Sequence, residues 1–231
     1  MVDKSMTPVL LMTRPQRASE RFLKALDDKG LPVAGAVISP AIAIDPKGSL
    51  LNTAQWDAVI FTSRHAVDQT EMTSGQTAFC VGDRTAKEAK SRGYKAISAA
   101  GDGEDLFDLI VQSRPNGALV YPRGWYARID IKKRLGEHGI TVEEIVVYDQ
   151  PEQRPNEEAL LLLEEQRSVL LPLFSPRTAE IAARWASNAA ADVTAACMSD
   201  AIAEAWGAES VVSTQPNVGS MVDAVAEILV R

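Results

Sequence analysis

An internal repeat is the feature that most constrains this chain. The stretch VLLMTRPQRASERFLKALDDKGLPVAGAVISPAIAI over residues 9–44 and the stretch GALVYPRGWYARIDIKKRLGEHGITVEEIVVYDQP over residues 117–151 share one order of parts. Each begins with an apolar run and an arginine between turn formers, Arg14 before Pro15 and Arg123 before Gly124. Each continues with an amphipathic stretch, a helix-ending glycine, Gly30 or Gly139, and a second apolar run. Both the arginines and the glycines stand 109 residues apart. An ungapped match of that length implies a duplicated βαβ unit.

The helical face in the first copy is legible from Ala18, Phe22, Ala25, Leu26 and Lys29, whose spacing places them on one side of a helix. Pro15 suits its first turn, where a missing N–H costs nothing. Between the copies, three short apolar runs at 58–61, 77–81 and 96–98 each lead into a helix. Thr62 and Ser63 are placed to cap the first helix, Gly82 turns into the second, and Asp102 with Asp105 forms a capping pattern for the third. After the second copy the three-unit pattern returns, with strands predicted over 169–174, 194–198 and 210–213 and a last helix carrying Met221, Val222, Val225, Ile228 and Leu229 on one face. Alternation of this kind predicts α/β architecture with parallel sheets covered on both faces, ten strands in all. Pro172 removes a ladder donor, so a bulge or strand end is expected there. The proline-bracketed SPAIAIDPKG and the polar QPEQRPNEE are the two candidate linkers.

Composition narrows the function. A net charge of −7 and a sequence pI near 5.0 leave no basic footprint for nucleic acid. No apolar run approaches the roughly 18 residues a membrane span needs, and MVDKSMTP at the N-terminus has no signal-peptide core; a soluble cytoplasmic protein is expected. Cys80 and Cys197 stand alone and mid-strand, so they read as buried thiols, and no metal site is expected. Neither G-x-G-x-x-G, a Walker loop nor G-x-S-x-G occurs. His138 reads as solvent-facing, and His65 opens a helix near the strand ends. The pairs Asp27-Asp28, Glu143-Glu144 and Glu157-Glu158 read as solvated faces.

Ligands in open α/β sheets bind beyond the carboxyl ends of the strands. The loops there hold Arg14, Ser63, Arg64, Gly82, Arg84, Thr85, Gly103, Arg123, Ser175 and Ser199. Helix N-termini beside guanidinium groups make a cradle for carboxylate or phosphate, although each hydroxyl alone is also an ordinary helix cap. Tyr148, at the end of the strand predicted over 142–147, supplies a phenol at the second linker, as a weak acid or as a packed side chain.

In their order and spacing, LLMTRP, VIFTSRHAV, FCVGDRTAKEA with Gly93, the LVYPRG block ending in VVY, and LFSPRTAEIAARW resemble the uroporphyrinogen-III synthase family. The resemblance runs from Val9 to Val230. It implies two similar domains, each a five-stranded parallel sheet, joined by a two-stranded linker, with the first βαβ unit exchanged into the sheet of the last three strands. On that pattern one domain comprises 1–39 and 155–231, the other 46–146, and the linkers 40–45 and 147–154. It implies the dehydrating cyclisation of hydroxymethylbilane to uroporphyrinogen III with inversion of ring D, in an interdomain cleft and without metal or organic cofactor. Tyr148 matches the family's linker tyrosine, implied to assist departure of the hydroxyl; Ser63, Ser175, Gly82 and Thr85 match its loop residues. The chain departs from the family at Arg64, where a proline is usual, and at Ala201 and Ile202, where threonines are. The implied substrate is a polyanionic small molecule, and a monomer with a transient contact to the preceding pathway enzyme is expected. The alternative is a non-catalytic two-domain anion-binding or regulatory module on the same fold.

Overall fold

The computed structural model describes residues 7–31, 33, 35–72, 74–126 and 130–230. Most of the N-terminal segment read above, residues 1–6, and residues 32 and 34 of the first repeat copy lie outside that set. Among the described residues there are eleven strands and nine helices in two compact units, one formed by 1–43 with 152–231 and the other by 44–151.

The first unit holds a five-stranded parallel sheet. Its strands are β1 (Val9–Met12), β2 (Ala36–Ile38), β9 (Ser168–Leu173), β10 (Asp192–Cys197) and β11 (Ser210–Val212), in the order β11-β10-β9-β1-β2. Period-two alternation sends β-strand side chains to opposite faces, and the faces are covered by different helices. Leu11, Val169, Leu171 and Cys197 pack under α6 (Glu157–Glu164), α7 (Pro176–Ala186) and α8 (Asp200–Trp206). Leu10, Met12, Leu170 and Ala196 pack under α1 (Gln16–Asp27) and α9 (Val218–Val230). The predicted stripe of α1 buries Ala18, Phe22 and Leu26; Lys29 lies past the helix end and is exposed. Pro15 sits one position earlier than expected, as the cap residue whose carbonyl accepts from Ala18 and Ser19. Helix α6 was hidden in the sequence by the polar, proline-rich stretch before it. Its buried face is Ala159, Leu162 and Leu163.

The second unit repeats the plan with one addition. Strands β4 (Ala58–Phe61), β5 (Thr77–Cys80), β6 (Lys95–Ser98), β7 (Leu119–Gly124) and β8 (Val142–Asp149) form the parallel order β8-β7-β4-β5-β6. One face packs on α2 (Arg64–Asp68) and α3 (Asp83–Ser91) through Val59, Phe61, Ala66, Val67, Ala86 and Ala89. The other packs on α4 (Gly103–Ser113) and α5 (Ile131–Glu137) through Ile60, Phe79, Leu106, Ile110 and Leu135. A two-residue strand, β3 (Asp45–Pro46), joins antiparallel to β8 opposite Asp149 and Tyr148. The sheet therefore has six strands rather than the five expected, and the chain eleven rather than ten. Proline is tolerated in β3 because this is the sheet edge, where one side of the backbone has no partner. The extra strand also lengthens β8, so Tyr148 lies inside it and not beyond its end.

Pro172 departs from expectation too. It is buried within β9 opposite Ala196, with no interruption of the β9–β10 ladder. On its other side the ladder to β1 closes at Leu170, so a strand end exists toward one neighbour only. The same early closure occurs between β4 and β7, which pair only through Ala58–Leu119 and Val59–Val120. In both sheets this is the seam where the direction of chain progression reverses. Strands splayed at such a switch point leave a crevice at their carboxyl ends, the usual ligand site of open α/β folds.

Candidate active site

At the switch point of the second unit, β4 ends in the adjacent hydroxyls of Thr62 and Ser63. Alternation sends them to opposite faces of the sheet, and each meets a tyrosine. Thr62 Oγ1 lies 3.0 Å from Tyr121 Oη. Ser63 caps α2, its Oγ accepting the amide of His65 at 3.1 Å, and it faces Tyr148, whose titration it influences.

Tyr148 is buried, 5% exposed. Burial raises its pKa above the ordinary phenol value of 10.0, while the neighbouring Ser63 hydroxyl and Gly124 backbone pull in the opposite direction. Tyr121 is raised likewise by burial, with Thr62 opposing. The His65 ring lies 6.0 Å from that of Tyr148. Burial, reinforced by Arg64, lowers the His65 pKa, so the imidazole beside the phenol is neutral.

Gly124 makes this packing feasible. A Cβ built there would stand 2.7 Å from Tyr148 Cζ and 2.8 Å from Cε2, closer than real side chains come. The register of β7 against β8 shifts between Arg123 and Gly124, which lays Gly124 opposite Tyr148.

Arg123 holds that irregularity. Its Nε donates to Glu144 Oε2 at 3.1 Å, and Nη1 donates to the carbonyls of Gly124 at 2.9 Å and Trp125 at 3.0 Å. The amide of Trp125 in turn donates to the carbonyl of Tyr148 at 3.0 Å. Nε and Nη1 of Arg123, a substrate-binding candidate by sequence, are thus engaged on Glu144 and on the loop. Glu144, read as part of a solvated pair, is half-buried and structural.

The other copy behaves differently. Arg14 lays its guanidinium carbon 3.9 Å over the ring of Phe174, which meets Phe22 edge-on at 5.0 Å. Position 35, which corresponds to Glu144 in the repeat, is glycine and offers no carboxylate. Ser175 caps α7, accepting the Thr178 amide at 3.2 Å. Thr13, beside Arg14 at the end of β1, is fully buried and its hydroxyl has no hydrogen-bond partner.

The remaining candidates separate. Arg64 opens α2; Gly82 and Ser199 precede α3 and α8 with no side-chain cap bond; Arg84 is exposed on α3 and Thr85 buried beside it. Gly103 opens α4 behind the capping box of Asp102 and Asp105. The structure thus gathers Ser63 with Tyr148, and Arg14 with the Phe174-Ser175 loop. Sequence reasoning missed Thr62 as a partner, Tyr121, Gly124 and Trp125. No local pattern carried that signal, since the faces Tyr121 and Tyr148 take depend on the register of β7 against β8, which shifts at Gly124. Cys80 and Cys197 are both buried, and burial pushes the Cys80 thiol up to about 12. Among the described residues no cluster of His, Cys, Asp or Glu is arranged to hold a metal ion, and no helix is long and apolar enough to cross a membrane.

Fold and site define a duplicated, doubly wound α/β protein with an exchanged βαβ unit and a phenol set among hydroxyl and amide donors at one switch point. The sequence model for uroporphyrinogen-III synthase HemD matches residues 11–223, and the chain belongs to that family of cyclising hydro-lyases in porphyrin and haem biosynthesis. The crystal structure of uroporphyrinogen-III synthetase from Helicobacter pylori is similar at 17% identity over 96% of this chain and 100% of the other, with a TM-score of 0.71. A mutant uroporphyrinogen III synthase from Thermus thermophilus is similar at 18% identity over 96% and 98%, with a TM-score of 0.50. At these identities the likeness concerns the fold. No curated protein sequence gives a significant match.

Proposed function

We propose that this chain performs its family's reaction, closing hydroxymethylbilane to uroporphyrinogen III with loss of water and inversion of ring D, and that Tyr148 is its proton donor. The observation that carries the assignment is the buried phenol of Tyr148, on the face of the sheet where α2 packs and laid against Gly124 at the carboxyl edge of β7 and β8. The phenol stays protonated at neutral pH because burial raises its pKa, with the polar groups of Ser63 and the Gly124 backbone acting in the opposite direction.

As the C–O bond of the hydroxymethyl group breaks, the phenol proton passes to the departing oxygen and water leaves. The pyrrole nitrogen's electron pair spreads the positive charge as an azafulvene cation. The substituted carbon of ring D then attacks the methylene, and rearrangement of the resulting spiro intermediate inverts the ring. The proton lost when the last pyrrole regains aromaticity returns to the phenolate, so the net change is loss of one water. Most of the catalytic task is orientation, since unguided closure gives the symmetrical isomer.

Arg14, held over Phe174, and the amides at the starts of α2 and α7 are the groups we assign to the substrate's acetate and propionate arms. Ser175, Ser199, Arg64, Arg84, Gly82, Thr85 and Gly103 remain candidates of the same kind. The same reading makes the protein a cytoplasmic monomer, touching the preceding enzyme of the pathway in passing. Feeding enzymatically made hydroxymethylbilane and separating the oxidised product isomers tests the activity. Isomer III is expected; isomer I alone, at the spontaneous rate, would leave an anion-binding module in place of an enzyme.

A further inference from the structure

Trp125 is 62% exposed and its neighbour Tyr126 57%, two large aromatic residues side by side on the surface just after β7. Exposure of one indole forgoes a large burial energy, yet its backbone is fixed at both ends. The Trp125 amide donates to the Tyr148 carbonyl at 3.0 Å and its carbonyl accepts from Arg123 Nη1 at 3.0 Å. Arg123 is itself anchored on Glu144 at 3.1 Å. A flexible surface loop needs no such clamp. Here an ion-paired arginine and a strand backbone order one residue whose side chain then packs on little of its own protein. The tie to Tyr148 places the Trp125 backbone beside the residue assigned as proton donor.

From this arrangement we infer that Trp125 is a substrate-stacking residue: its indole takes the flat face of a pyrrole ring while Tyr148 acts on the adjoining hydroxymethyl group. The inference rests on the reading that this edge of the second unit faces the tetrapyrrole. Pyrroles are flat, electron-rich rings that stack on aromatic side chains, and a ring turned cationic by loss of hydroxide gains further from the face of an indole. Such a platform also suits a protein whose net charge of −7 opposes a polyanionic ligand, because it supplies attraction that does not depend on charge.

The experiment uses the full chain and its Trp125→Ala and Trp125→Phe variants. Turnover of hydroxymethylbilane is measured together with tryptophan emission during anaerobic titration with uroporphyrinogen III, which absorbs little where tryptophan emits. Trp56 and Trp206 are buried and Trp185 half-buried, so a change in the emission of Trp125 stands out. Trp125→Ala is expected to lose about tenfold in kcat/KM, the scale of one ring stack, and to abolish the emission change. Trp125→Phe is expected to recover most of the activity, because the stack survives with a smaller face. Wild-type formation of isomer III with Trp125→Ala unchanged in rate and emission response would overturn the stacking role alone. Isomer I alone from the wild type would overturn the activity as well. Equal damage from Phe and Ala would also reject stacking.

Discussion

Adding one methyl group at Gly124 is the sharpest perturbation of this site. Its backbone is not among the positive-φ glycines, so alanine brings no conformational strain and acts through sterics alone. The new Cβ would stand 2.7 Å from Tyr148 Cζ, 2.8 Å from Cε2 and 3.0 Å from Oη, against an ordinary contact of 3.4–4 Å. The ring must therefore shift by at least several tenths of an ångström. Tyr148 is 5% exposed and packed against the second unit's core, so the neighbours must move with it. Overpacking of that kind costs about 1–3 kcal/mol. A shift on that scale also displaces the phenol, and misplacing a reacting group costs roughly tenfold to a hundredfold in rate. Urea denaturation should show a lower midpoint with an unchanged slope, and turnover of hydroxymethylbilane should fall at saturating substrate. In a Tyr148→Leu background the alanine should cost little stability, so the two changes combine to less than their sum. Wild-type stability and rate in Gly124→Ala would refute the claim that this close approach positions the phenol.

Tyr148→Phe keeps the ring and removes the donor, and should slow turnover by about 10- to 100-fold, in the range of one general acid; an unchanged rate would reduce Tyr148 to packing. Arg123→Gln should destabilise by about 1–3 kcal/mol, because the carbonyls of Gly124 and Trp125 and the Glu144 carboxylate lose their partner. Arg14→Gln should instead raise KM with little change in melting temperature, and the reverse pattern would exchange the two roles. Stability should fall on both sides of neutrality. His65 has a lowered pKa, so only the unfolded chain takes up its proton below about 6.5 and acid favours unfolding. Cys80, Tyr121 and Tyr148 have raised values, so only the unfolded chain loses those protons, from about 9 upward, and alkali favours unfolding. Melting temperatures across pH, repeated with His65→Phe, should show the acid limb flatten in the variant.

The sequence determined the duplicated unit, the alternation of strands and helices, the core stripes of α1 and α9, and the set of loops at the carboxyl ends of strands. These are local matters: period, capping chemistry and turn residues reside in contiguous stretches, and a repeat at a fixed offset of 109 residues is visible without any contact. Three things were decided by tertiary structure. The edge strand β3 exists because Asp45 and Pro46 meet Asp149 and Tyr148, a pairing between residues about a hundred positions apart. The hydroxyls of Thr62 and Ser63 were divided between Tyr121 and Tyr148 by which face each side chain takes when β4, β7 and β8 come together. The two arginines of the repeat, alike in local context, met different neighbours. Glu144 stands diagonally across β8 on the same face as Arg123 and claims its guanidinium. Glycine at position 35 makes no such claim, and Arg14 lies over Phe174 instead. An ion pair depends on the charge a second strand brings within reach, and register between strands is a property of the assembled sheet.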